Sequence, residues 1–71
     1  MDFARQLQHL AEAEAHVECG AKHIFDQEMR IAELELRDQD SSLARAILET
    51  LRRTQDQFII HRALILRELG L

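Results

Sequence analysis

Apolar residues recur at steps of seven along most of this chain. Phe3, Leu10, Val17, Ile24 and Ile31 form one column, and Ala44, Leu51, Phe58 and Ile65 form a second, one residue out of phase. A seven-residue step keeps side chains on one face of a helix, so each column predicts a long amphipathic helix. The polar run Asp38-Gln39-Asp40-Ser41-Ser42 separates them. One uninterrupted helix is the rival architecture, because that run contains neither glycine nor proline. Continued through it, however, the first column would read Asp38, Arg45 and Arg52. A reversal of the chain explains both the break and the polar run. The pattern therefore predicts an all-α, antiparallel two-helix hairpin of coiled-coil type.

The hairpin is expected to be a single domain over 1–71, with helix 1 at about 3–37, a turn at 38–42 and helix 2 at about 42–69. Asp2 is the predicted N-cap of helix 1, and Asp40 or Ser41 that of helix 2. Gly70 is expected to end helix 2 in the left-handed conformation, letting Leu71 pack back on Leu66. The predicted buried face of helix 2 is Ala44, Ile47, Leu48, Leu51, Phe58, Ile65 and Leu69. The intramolecular seam is assigned to Leu10, Val17, Ile24, Ile31, Leu48, Leu51 and Phe58. Folding at the midpoint pairs positions whose numbers sum to roughly 79. That register sets Gly20 and Ala21 opposite Phe58, Ile24 opposite Gln55, and Glu14 and Glu18 near Arg62.

Composition supports helices and limits what they can hold. The 71 residues include no proline, two glycines and abundant Ala, Leu, Glu, Gln and Arg, which are strong helix formers. A chain this short buries only about 60% of its unfolded surface, and natural proteins of this size add disulfides, metals or partner subunits. The single cysteine, Cys19, forms no internal bridge. No stretch reads as a secretory signal or approaches the ~20 apolar residues of a membrane span, so a cytoplasmic protein is expected. The net charge of −4 is unevenly shared: residues 1–38 hold nine acids and four bases, residues 41–71 three acids and five bases. An acidic helix 1 favours contact with helix 2 over contact with another helix 1.

Residues 58–66 read Phe-Ile-Ile-His-Arg-Ala-Leu-Ile-Leu. Helix 1 covers Phe58 and Ile65 but not Ile59, Ile60, Leu64 and Leu66, which spread around the remaining sides. Left bare, these four would form an apolar patch of the kind that marks an interaction surface. They are the expected subunit contact of a homodimer, two hairpins making a four-helix bundle. An unknown protein partner would serve the same patch.

Candidate chemistry is sparse. His9, His16 and His23 fall seven apart, ~10.5 Å along the axis, too far for two of them to share a metal. His16, Cys19 and His23 lie in one narrow sector with Glu12, and a His–Cys pair one turn apart can ligate zinc, nickel or copper. Metal binding or sensing is thus the alternative reading, with no cofactor as the default. Histidines on a helix flank can also sense pH. Arg45, Arg52 and the Gln55–Arg62 side could form a basic stripe for RNA, but the acidic chain has no aromatic stacking platform. No nucleophile–base pair, phosphate loop or carboxylate dyad supports catalysis, so a non-enzymatic module is expected.

Several stretches carry a resemblance. They are Leu10-Ala11-Glu12-Ala13-Glu14, His16-Val17, Gly20, His23-Ile24, Gln27 and Ile31-Ala32-Glu33-Leu34-Glu35, then Leu43-Ala44-Arg45, Leu48-Glu49-Thr50 and His61-Arg62. In these the chain resembles short, uncharacterised proteins of soil and plant-associated alphaproteobacteria. The resemblance implies a short bacterial helical hairpin with no assigned activity. This chain departs from that group in its Gln39-Asp40-Ser41-Ser42 turn and in its more apolar Phe58–Leu66 stretch.

Overall fold

The computed structural model describes residues 2–71, and among them two helices pack side by side: α1, Phe3–Leu36, and α2, Ser42–Leu69. There are no strands among the described residues.

Each helix end is satisfied locally. Asp2 Oδ1 accepts hydrogen bonds from the backbone N–H of Ala4 at 3.0 Å and of Arg5 at 3.3 Å. That carboxylate also faces the positive end of the α1 dipole. At the far end Asp38 takes a left-handed backbone, φ 56°, without being glycine. Gln39 N–H then donates to Leu34 O at 2.8 Å and Asp38 N–H to Glu35 O at 3.1 Å, closing the last turn. Gly70, φ 75°, does the same for α2, with Leu71 N–H on Leu66 O and Gly70 N–H on Arg67 O, both 3.1 Å. Short polar side chains tolerate the left-handed region better than most, which is how the turn forms without glycine.

The start of α2 divides the capping role between two residues. Ser41 is the cap by position, but its hydroxyl accepts from Arg45 Nε at 3.1 Å instead of from the helix backbone. Asp40 Oδ1 takes the backbone N–H of Ser42 at 2.9 Å and its hydroxyl at 2.6 Å.

The seam follows alternating steps of three and four along both helices. Its most buried residues are Ala13 and Ile31 on α1 and Ala44, Gln55 and Ile65 on α2. Leu10, Val17, Ile24, Leu48, Leu51 and Phe58 are half-buried beside them. Among the described residues no large side chain is fully buried. The result is a rod of 55 × 14 × 14 Å, with a radius of gyration of 16.2 Å where a globular chain of this length would have about 11 Å.

The register differs from a midpoint fold by about one helical turn (~4 residues). Gln55, not Phe58, lies against Gly20 and also donates from Nε2 to Val17 O at 2.7 Å, while Phe58 lies against His16. The reason is chemical: half of the seam is written in small and amide residues. Gln27 Nε2 reaches across to Ala44 O at 2.9 Å, mirroring Gln55 on Val17. These two side-chain-to-backbone bonds, one in each direction, set the layers. Two other expectations change with the register. Ile47 is exposed, and neither Glu14 nor Glu18 pairs with Arg62 among the described residues.

Candidate association surface and the histidine flank

Two flanks run along the hairpin, one on either side of the seam. The first carries ion pairs between the helices: Glu35 Oε1 with Arg45 Nη2 at 2.8 Å and Glu28 Oε2 with Arg52 Nη2 at 3.1 Å. Traced by steps of seven toward the chain ends, the same columns become Ala21, Glu14 and Leu7 on α1 and Ile59 and Leu66 on α2. One turn outward on α1 lie Ala11, Glu18, Phe25 and Ala32. This flank is charged near the turn and largely apolar toward the open end.

The second flank carries the histidines. His16 stacks on Phe58, with ring centroids 5.1 Å apart and planes at 28°. Gln6 Nε2 donates to Glu68 Oε2 at 2.6 Å, and Gln6 Oε1 lies 3.1 Å from His9 Nδ1, so Glu68 and His9 share this side. His61 stands seven residues before Glu68 in the same column, which brings all four histidines of the chain to one flank. The sequence reading singled out three of them. Only the pairing of the helices adds His61.

The predicted metal ligands are partly gathered. Cys19 Sγ lies 3.6 Å from His23 Nε2, one helical turn apart, while His16 is engaged with Phe58. Among the described residues no group of three or more His, Cys, Asp or Glu is placed to hold a metal ion. A groove beside His23, Asp26, Gln27, Met29, Arg30, Glu33 and Leu51 is an open furrow with a volume of about 580 Å³.

Two of the arginines weighed for a basic stripe have acidic partners. Arg45 and Arg52 are paired with acids of α1, Arg53 is paired with Glu49 on its own helix, and Gln55 is buried in the seam.

The four predicted interface residues do not share one face. Ile59 and Leu66, seven apart, belong to the ion-pair flank. Leu64 stands three residues beyond His61, on the histidine side, and Ile60 occupies the ridge between the two flanks. Ile59, Ile60 and Leu64 are 40%, 52% and 50% exposed, and Leu66 is half-buried. On α1 of the ion-pair flank, Phe25 is more exposed than any of them, at 60%, and Leu7 matches Ile59, at 42%.

Among the described residues no helix is long and apolar enough to cross a membrane. Comparison with protein-family models, curated proteins and solved structures gives no match.

Proposed function

We propose that this chain is a small structural, protein-interaction module that works by self-association and not by catalysis, with a homodimeric four-helix bundle as its simplest form. The observation that carries this reading is surface area. The chain exposes 5575 Å², whereas a compact monomer of 8.3 kDa would expose about 4,600 Å². The excess, roughly 1,000 Å², slightly exceeds the ~800 Å² that each partner contributes to a standard stable interface. Much of it is aliphatic or aromatic, with Leu7, Phe25, Ile59, Ile60 and Leu64 all exposed. A lone hairpin leaves such side chains in water at about 25 cal/mol per Å², so covering them is the main free energy available to the molecule.

The test is a mass in solution. Light scattering or sedimentation at micromolar concentration should give twice the 8.3 kDa chain mass. A folded species at the chain mass would refute the reading.

A further inference from the structure

We infer that the ion-pair flank, and not the histidine flank, is the contact between two copies of this chain, docked with both turns at the same end. In that arrangement α1 of each copy lies on α2 of the other. The inference rests on the self-association reading and adds the face and the orientation.

Two observations select the face, and a third fits the size of one contact. Its open half is lined by Leu7, Ala21 and Phe25 from α1 and by Ile59 and Leu66 from α2, with Ala11 and Ala63 beside them and Glu14 and Glu18 as the acids of α1 among them. Small residues beside large exposed ones let a second hairpin approach closely and seat its own rings and aliphatic branches. The opposite flank has polar residues at most of the same heights, namely His9, His16, His23, Thr54, His61 and Glu68. The spare surface of the chain also matches the area that one such contact requires.

Charge selects the orientation. On this flank α1 presents Glu14, Glu18, Glu28 and Glu35 and no base, whereas α2 balances Arg45 and Arg52 against Glu49 and Asp56, with Glu49 already paired to Arg53. Two hairpins can stack face to face with their turns at opposite ends, which sets α1 on α1 and crowds eight carboxylates together. With the turns at the same end, α1 lies on α2 of the other copy at equal height. Glu28 and Glu35 of each copy then face Arg52 and Arg45 of the other, extending the ion pairs already present. The apolar halves meet at the same time. Like charges opposed across an interface cost several kcal/mol, so the second orientation wins.

The experiment combines mass, two variants and one distance. Phe25→Glu should weaken dimerisation about 100-fold or more, because a two-fold contact would bury the new carboxylate twice. Leu64→Glu, on the other flank, should leave the dimer intact. Spin labels on Gln39→Cys in a Cys19→Ser chain should lie below about 30 Å apart, since packed helices sit ~8–10 Å from one another. With opposed turns the labels would lie nearly a molecular length away, and the rod is 55 Å long. A monomeric parent chain overturns both self-association and this inference. A dimer with distant labels, or one dissociated by Leu64→Glu but not by Phe25→Glu, overturns the inference alone. The distance needs no charge placed on the contact, so it decides even if Phe25→Glu does not fold.

Discussion

Gly20 and Gln55 should behave as one unit, and a double-mutant cycle can measure that. A Cβ added at Gly20 would land on Gln55 Oε1 and only 2.8 Å from Gln55 Cδ. Gly20→Ala gains ~1 kcal/mol of helix propensity. It must also expel the Gln55 amide, forfeiting the bond to Val17 O, worth ~0.5–1.5 kcal/mol. An amide pushed aside but kept from water costs a further ~1–3 kcal/mol. The expected net effect is a loss of about 1–2 kcal/mol. In a Gln55→Ala background nothing of residue 55 reaches the new methyl, and Gly20→Ala should stabilise by ~1 kcal/mol. The cycle should therefore give a coupling energy of about 2–3 kcal/mol, well above the ~0.3–0.5 kcal/mol of independent sites. Denaturant unfolding followed by helical circular dichroism, at one fixed protein concentration, measures all four corners. If Gly20→Ala stabilises equally in both backgrounds, Gly20 is not a notch for Gln55 and the observed register is wrong.

Asp38→Gly should raise stability by about 0.5–1 kcal/mol, read as a higher melting temperature, because it keeps the left-handed turn and removes both Cβ strain and a negative charge at the carbonyl end of α1; a lower melting temperature would contradict the turn geometry. The Ser42 hydroxyl, and next the Ser42 backbone N–H, hold the Asp40 carboxyl below its ordinary value of 3.8. A depressed folded value means that this stabilisation is present above pH 3.8 and fades as acid protonates the folded form. Thermal melts between about pH 5 and pH 2 should thus show a steeper acid limb for the parent than for Asp40→Asn, and parallel limbs would exclude the cap. Phe58→Ala should cost about 2 kcal/mol, less than for a fully buried ring because Phe58 is half-buried. It should also release His16, whose ring resonances in NMR would lose the upfield shift of the stack; unmoved resonances would argue against the contact.

The hairpin was legible in the chain because its signals are local. A phase change in the apolar columns, a polar run and a terminal glycine each carry their meaning within a few residues. Register was not legible by the same means. Columns were traced through large apolar residues, whereas the complementary half of the seam runs through Ala13, Gly20, Gln27, Ser41, Gln55 and Arg62. An amide bonded to a backbone carbonyl of the opposite helix belongs inside, yet by type it counts as surface. Following the three-four alternation regardless of polarity would have found these positions. Ile59, Ile60, Leu64 and Leu66 divide between the two flanks for a related reason. They are neighbours in sequence, but steps of one, four and two residues, at ~100° per residue, spread them over an arc of about 160°. The histidine flank was half visible: three members share a helix, and the fourth joins only through the pairing.

That none of the described large side chains is fully buried bears on how the molecule melts. Little hydrocarbon changes hydration when an isolated hairpin opens, so its heat-capacity increment and denaturant slope are small. Its transition would spread over tens of degrees. A second copy laid along the flank, as proposed, would add to that hydration change, sharpen the transition and make its midpoint rise with chain concentration. Under the proposed self-association, cooperativity would be a property of the assembly more than of the chain.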